Sequence, residues 1–345
     1  MPLLKKDIIM GIDTSCDDTS CGIVKKGKMV LSSVVSSQDS IHAPFGGIVP
    51  EIASRAHVEK IAWVVKEALE KANITFENIG GIGVTQGPGL PGSLLVGWEF
   101  SKALSFALGI PFIGINHLEA HLFSPFLDRK EEIYFPVLGL VVSGGHTLLA
   151  YAEKPFHFSL LGQTRDDACG EALDKVARIL GLPYPGGPYL EKLAEKGSPD
   201  RIKFPTAILP NTYDFSFSGI KTHAWRVFKE NKYSKEDIAA SFQEAVINIL
   251  TFKLRYAVNS LSVKSIVVGG GVVANHRLRN MLSNLQKEVN LPVYLPSFPY
   301  AVDNGAMIAG LAYYLLKEGK FSKKGEDVKP ALTSYFIPPL RQTQE

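Results

Sequence analysis

Residues 7–35, DIIMGIDTSCDDTSCGIVKKGKMVLSSVV, set two apolar runs on either side of a polar turn at 13–19, then a Lys-Gly turn and a third run rich in β-branched residues. Short apolar runs bounded by turn residues predict a buried strand, a return strand and a third strand in a meander. Residues 136–162, PVLGLVVSGGHTLLAYAEKPFHFSLLG, repeat that plan with SGGH as the first turn. The same plan about 130 residues further on predicts two similar lobes, each opening with a meander whose first turn presents small polar residues and backbone groups. A cleft is expected between those turns.

Each meander leads into helical periodicity and one further strand. HVEKIAWVVKEALEKA (57–72) is amphipathic and precedes the strand and Gly-Pro loop IGGIGVTQGPG (79–89). In the second half, DDACGEALDKVARILGL (166–182) and KEDIAASFQEAVINILTFKLRYAVNSL (235–261) read as helices, followed by the strand SIVVGGG (265–271) and the helix NHRLRNMLSNL (275–285). The expected organisation is an α/β chain with a first lobe over 1–133, completed by a C-terminal helix at about 304–320. A second lobe covers 134–303 with an irregular Pro-, Gly- and aromatic-rich insertion at about 181–224, and a polar, poorly ordered tail covers 321–345.

A chain of 345 residues suits two lobes of roughly 100–200 residues better than one small core. A formal net charge of +3 makes no global demand for a polyanionic partner and leaves room for a local basic patch. Cys16, Cys21 and Cys169 contain no CxxC pair, which argues against a disulfide framework or a thiolate zinc site and for a reducing cytoplasm. The first residues lack the apolar core of a signal peptide, and no stretch reaches the ~20 apolar residues of a membrane span, so a soluble cytoplasmic protein is expected.

In NHLEAHLF (116–123), His117 and His121 stand four apart, on one face of a helix, where both can ligate one ion. Glu119 points away from that face, unlike the glutamate of HExxH, which follows the first histidine directly. A solvated or packed helix face carries the same spacing, so a third ligand must be found. Asp303, in YAVDNGAMIAGLAYYLL (300–316), precedes a small-residue helix that it could simply cap. Brought to the two histidines, it would instead complete a two-histidine, one-carboxylate set with open positions, suited to Fe(II) or Zn(II).

Four glycine turns, QGPGLPGS (86–93), VSGGHT (142–147), YPGGP (184–188) and VVGGGVVAN (267–275), fall at strand ends or helix starts, where exposed N–H groups favour phosphate. With the duplicated meander they point to a nucleotide cleft, and neither GxGxxG nor GxxxxGK(S/T) is present. Asp13, Asp17 and Asp18 crowd the first turn, either around a cation or in solvent. Asp174 lies within a helix whose periodicity does not decide whether it faces in or out. FSFSGIKTHAWRVFKENKYSK (215–235) interleaves aromatics with Lys221, His223, Arg226 and Lys229, as nucleic-acid surfaces and ordinary amphipathic helix ends both do.

The ordered set GIDTSCDDTS, HAPFGGIVPEIASRAHVEKI, GPGLPGSLLVG, NHLEAH, VSGGHT, GEALDKVARILGLPYPGGP, DFSFSGIKT, GGGVVAN and DNGAMIA covers roughly residues 8 to 315. In these motifs the chain resembles the TsaD family, once called Gcp or O-sialoglycoprotein endopeptidase, and its bacterial branch above all. The resemblance implies an actin-like, sugar-kinase-like ATPase (ASKHA) fold of two duplicated lobes around a central cleft. It also implies transfer of the threonylcarbamoyl group from threonylcarbamoyl-adenylate to N6 of the adenosine 3′ of the anticodon, in tRNAs reading codons that begin with A, with release of AMP.

By motif position the resemblance makes His117, His121 and Asp303 the ligands of one divalent metal, Fe(2+) ahead of Zn(2+). It makes Val141, Val142, Ser143, Gly144, Gly145, Asp174, Gly187 and Asn275 contacts to an adenylate or ATP, and Asp17 a catalytic residue. The partners it implies are tRNA, a TsaB-like paralogue, a TsaE-like P-loop ATPase and a TsaC-like synthase supplying the adenylate. Asp13 and Asp18 stand where many relatives carry glutamate, Asn116 where a histidine is frequent, and Glu191 where an aspartate often meets the adenylate, so Asp18 and Glu191 stay outside the expected site. Two rival readings are a metal-dependent glycoprotein endopeptidase, which lacks the adjacent glutamate, and a non-catalytic nucleotide-binding scaffold of the same fold.

Overall fold

The computed structural model describes residues 4, 6–205, 209–323 and 325–332. These form two compact units, one running to Glu132 and resuming at Pro296, the other spanning Ile133–Leu295. In the first, β1 (Ile8–Asp13), β2 (Thr19–Lys25) and β3 (Met29–Ser36) make the expected meander, with β1 and β2 in register from Ile8–Lys25 to Asp13–Ser20. There follow α1 (Asp39–His42), α2 (Pro50–Ala72), β4 (Gly81–Gly87), α3 (Pro91–Leu108), β5 (Phe112–Asn116) and α4 (His117–Phe123). Parallel pairing of β4 to β1 and of β5 to β4 gives the order β3-β2-β1-β4-β5.

Both faces of this sheet are covered, and β4 is buried along its whole length, as near-continuous apolar strands require. Met10, Ile12, Cys21, Ile23, Ile82 and Val84 pack with Ile61, Val64 and Val65 of α2 and Trp98 of α3. The alternate residues meet the C-terminal helix Gly305–Lys317. There a Cβ at Gly11 would stand 2.1 Å from the Gly305 carbonyl oxygen, and one at Gly22 would stand 2.2 Å from the Ala306 nitrogen. Glycines in both strands and small residues in the helix therefore let backbone rest on backbone.

The second unit repeats the plan. It contains β6 (Val137–Val142), β7 (Thr147–Ala152), β8 (Ser159–Gln163), α5 (Cys169–Ile179), α6 (Gly186–Ala194), α7 (Ser218–Glu230), α8 (Lys235–Ser260), β9 (Ser265–Gly269), α9 (His276–Val289) and β10 (Val293–Tyr294). Its strand order, β10-β9-β6-β7-β8, is the first sheet's order read from the other edge. The duplication visible in the two meanders thus extends through both sheets. Among the described residues no helix is long and apolar enough to cross a membrane.

Three local expectations need correction. Each meander is followed by two further strands rather than one, the additional ones being β5 and β10, five and two residues long. The stretch 181–224 is not irregular throughout, since it contains α6 and the start of α7. Residues 322, 323 and 325–332 are pinned to the first unit rather than loose. Lys329 N donates to Gln86 O at 2.7 Å, Gln86 Nε2 to Asp327 O at 2.8 Å, Trp98 Nε1 to Glu326 O at 3.2 Å and Asn116 Nδ2 to Leu332 O at 3.2 Å. The rest of the expected tail, 333–345, lies outside the described residues.

Candidate functional site

Strand β5 ends at Asn116, whose Oδ1 accepts from Leu118 N at 2.8 Å and Glu119 N at 3.4 Å and so starts α4 at His117. One turn later comes His121, with ring centroids 4.5 Å apart and ring planes at 74°. Asn304, not Asp303, caps the C-terminal helix, its Oδ1 accepting from Met307 N at 2.9 Å. Asp303 is thereby released from the capping role, and its Oδ1 stands 3.1 Å from His121 Nε2 and 3.5 Å from His117 Nε2.

Ligand atoms of His117, His121 and Asp303 all lie within 4.8 Å of one another. His121 is fully buried, yet neither of its ring nitrogens completes a hydrogen bond, the Asp303 oxygen lying near but out of line. Buried polar atoms left without partners are rare because desolvation penalises them. Two imidazoles and a carboxylate facing one point are a donor set that fits a divalent cation with open positions.

Behind His117 stands Asp13, a residue whose place the sequence reading left undecided. Its Oδ2 lies 3.2 Å from His117 Nδ1, a close charge contact in which neither atom completes a hydrogen bond, while its Oδ1 accepts from Ser15 N at 3.0 Å and Thr85 Oγ1 at 2.8 Å. A pinned carboxylate at the far nitrogen of a ligating histidine orients the ring and raises its basicity. The legible signal was position, since Asp13 ends β1, at the carboxyl edge of parallel strands where ligand groups gather. Burial works against the His117 imidazolium, but Asp13 and Asp303 outweigh it and hold the pKa well above the ordinary histidine value. Burial and the neighbouring His117 hold His121 below that value. Burial alone would raise Asp303, but His117 and His121 keep it well below the usual carboxylate range.

The turn after β1 carries the expected catalytic aspartate. Burial first, then the charges of Asp303 and Asp39, pushes Asp17 up to about 6. Asp18 is pushed up to about 8 by burial, then by Asp303 and Asp17. His57, buried in α2, braces this turn, with Nε2 3.0 Å from Cys16 O and Nδ1 2.7 Å from Thr19 Oγ1. Its Nε2 donates to the carbonyl, and its Nδ1 accepts from the hydroxyl. Gln38 and His42 extend the buried network, His42 Nε2 lying 3.1 Å from Gln38 Oε1. These three residues escaped the sequence reading because neither the amphipathic pattern around His57 nor the short segment 38–42 distinguishes a buried polar brace from a wet surface.

In the second unit, Val141 and Val142 are wholly buried in β6, so their side chains cannot meet a ligand and only backbone groups remain to them. Ser143 closes the next turn, its N donating to His146 O at 2.8 Å and its O accepting from Gly170 N at 3.1 Å. Gly144 and Gly145 are exposed at its tip. Asp174 and Gly187 meet, Gly187 N donating to Asp174 Oδ1 at 2.9 Å, which sets a carboxylate against the first turn of α6. Asn275 caps α9 through Leu278 N at 2.9 Å and donates from Nδ2 to Gln243 Oε1 at 2.8 Å. Glu191 Oε1 accepts from His276 N at 2.6 Å, serving the same helix start.

Residues 29–310 match the model of the TsaD family, described as tRNA N6-adenosine threonylcarbamoyltransferase. A curated relative of that name from Caldicellulosiruptor bescii is 45% identical over 328 residues, covering 94% of this chain and 97% of its own length. Another, from Bacillus cereus, is 46% identical over 336 residues, covering 95% of this chain and 97% of its own. Among solved structures, HypF from T. kodakarensis aligns with a TM-score of 0.62 at 14% identity, over 92% of this chain and 48% of that one. Component A of the (R)-2-hydroxyglutaryl-CoA dehydratase of Acidaminococcus fermentans aligns at 0.53 and 16% identity, over 90% and 98%. At such identities the structural likeness concerns the fold alone, which is the actin-like, sugar-kinase-like class with two duplicated α/β lobes.

Proposed function

The chain belongs to the TsaD family of tRNA N6-adenosine threonylcarbamoyltransferases, and from that premise we propose that it moves the threonylcarbamoyl group of threonylcarbamoyl-adenylate onto N6 of the adenosine 3′ of the anticodon in tRNAs reading codons that begin with A. AMP is the leaving group. The chain is thus a transferase with tRNA as acceptor. What carries the finer reading is the convergence of His117, His121 and Asp303 within ligand reach, backed by Asp13.

An exocyclic adenine amine is a weak nucleophile, because its lone pair is delocalised into the ring. A mixed carbamoyl-phosphate anhydride compensates as donor. The amine nitrogen bonds to the carbamoyl carbon, the bond from that carbon to the phosphate oxygen breaks, AMP departs with the electron pair, and the amine loses a proton. His117, His121 and Asp303 would hold Fe(2+) or Zn(2+), which when bound supplies a Lewis acid and a template for donor oxygens. Asp13 keeps the His117 ring turned with Nε2 toward that point.

Asp17, with a pKa near 6, is a carboxylate at neutral pH yet basic enough to collect the amine proton. Asp18, higher still, keeps its proton beside it, so neighbouring carboxyl groups are pushed into different states. The amides of Gly144 and Gly145 suit the charge of the phosphate, and Asp174, Gly187 and Asn275 suit sugar and base groups of an adenylate or ATP. The reading brings with it a TsaB-like paralogue, a TsaE-like P-loop ATPase, a TsaC-like source of the adenylate and a cytoplasmic setting. Nucleoside mass spectrometry of tRNA incubated with the protein, those partners and the adenylate tests it. Threonylcarbamoyladenosine should form, and His117→Ala should abolish it. Unchanged product from that variant would sink the metal assignment, and none from the parent would sink the reaction.

A further inference from the structure

We propose that the outer face of α7, with the groove beside it, grips the sugar-phosphate backbone of tRNA and offers Trp225 as a stacking platform for an unpaired base. The inference deepens the transferase reading and rests on it. The groove has a volume of about 320 Å³ and is lined by Pro205, Ser218, Gly219, Thr222, His223 and Arg226. Ile220, Ala224 and Val227 anchor α7 to the core, while Thr222, Trp225, Arg226 and Lys229 are exposed on the other side. Helical spacing sets Thr222 beside Arg226, and Trp225 beside Lys229.

The exposed charges of the outer face are the cations Arg226 and Lys229, beside Glu230. Lys221 is spent on Asp167, and Glu230 is paired with Lys232 at 3.1 Å. Asp166, packed against the first turn of α7, stays a carboxylate, its oxygens facing inward onto Ser216 Oγ, Phe217 N, and the N and Oγ of Ser218. Among the described residues Arg226 has no acidic partner, and His223 has only a ring contact with Phe204, centroids 5.1 Å apart. A guanidinium and an imidazole lining one groove match phosphate oxygens. Trp225 is 48% exposed with Lys229 Nζ 5.9 Å from its ring centroid, the aromatic–cation pairing on which splayed bases stack.

The test measures tRNA affinity of the full chain by filter binding across a salt series, together with transfer kinetics in the presence of its partners. Arg226→Glu should weaken binding at least tenfold at 0.1 M salt, lower the slope of log affinity against log salt by about 1, and raise the tRNA KM in transfer. Trp225→Ala should weaken binding about five- to a hundredfold, and Trp225→Phe should restore most of it. Lys287→Glu, a charge reversal on exposed α9, should change affinity less than twofold. Wild-type affinity and slope in Arg226→Glu overturn the proposal, as does an equal loss in Lys287→Glu. It is also overturned if the α7 variants lose protein partners while tRNA affinity holds, which would make this face a protein interface. Absence of modified nucleoside from the parent protein would count against the transferase reading instead, whereas parental transfer with an unaltered variant KM removes the groove alone.

Discussion

Oδ2 of Asp13 stands 3.2 Å from Nδ1 of His117, while Nε2 of the same ring faces Asp303 Oδ1 at 3.5 Å. The imidazole is thus held between two carboxylates, one of them fastened by Ser15 and Thr85. Asp13→Asn keeps the shape and one acceptor but removes the charge that steers the ring. Metal affinity, read by competition with a chelator, should fall about 10- to 100-fold. Equal affinity in parent and variant would show that Asp13 has no part in orienting His117.

His121 has no exposed surface, and both of its ring nitrogens lack a hydrogen bond. A buried polar group left so costs about 1–3 kcal/mol, a penalty that an apolar residue of similar size does not carry. His121→Leu removes that penalty but also the ring 3.1 Å from the Asp303 carboxylate, so with metal stripped by a chelator the variant should melt within a few degrees of the parent. Divalent metal should raise the melting temperature of the parent and leave the variant unmoved, because only a folded ligand set links binding to stability. A variant several degrees less stable under chelation would mean that those nitrogens have structural partners.

The sequence carried some of this site plainly and hid the rest for identifiable reasons. His117 and His121 are one helical turn apart, so their shared face follows from spacing alone. Asp303 is remote in the chain and next to a better cap, so only resemblance brought it to the histidines; the structure adds that Asn304 takes the capping role. Helix α6 opens on Gly186 and Gly187, poor helix formers, and its stability comes from the Asp174 carboxylate at its first turn and from buried Leu190 and Ala194. None of that is local information. The segment 325–332 likewise has no periodicity of its own, and its order comes from partners such as Gln86, Trp98 and Asn116 far upstream.

Asp17 leads to a kinetic prediction. Its carboxyl is raised to about 6 by burial and by the charges of Asp303 and Asp39, and a cation bound at Asp303 would offset part of that effect. A base works only when deprotonated, so transfer should rise with pH along a limb centred between about 4, the ordinary aspartate value, and about 6. Asp17→Asn should erase this limb and lower kcat by about 10²- to 10⁴-fold, with tRNA KM little changed. Retention of the limb in the variant would assign it to another group.

Asp167 joins α5 to α7, with Lys175 Nζ 2.7 Å from one oxygen and Lys221 Nζ on the other. Burial alone would raise its pKa, but the two ammonium groups outweigh burial and hold it below the usual carboxylate value. A folded-state pKa lower than the unfolded one means that the charged form stabilises the fold. That contribution is complete above the unfolded value of about 4 and is lost as pH falls through the lowered folded value. Asp167→Asn should cost about 1.5–3 kcal/mol near pH 7, the range for hydrogen bonds to charged groups. Thermal melts from neutral pH downward should show parent and variant beginning to converge below about pH 4 and meeting only below the lowered folded value, where the Asp167 carboxyl is protonated in both states. A gap that persists undiminished in acid would place the effect in packing rather than charge.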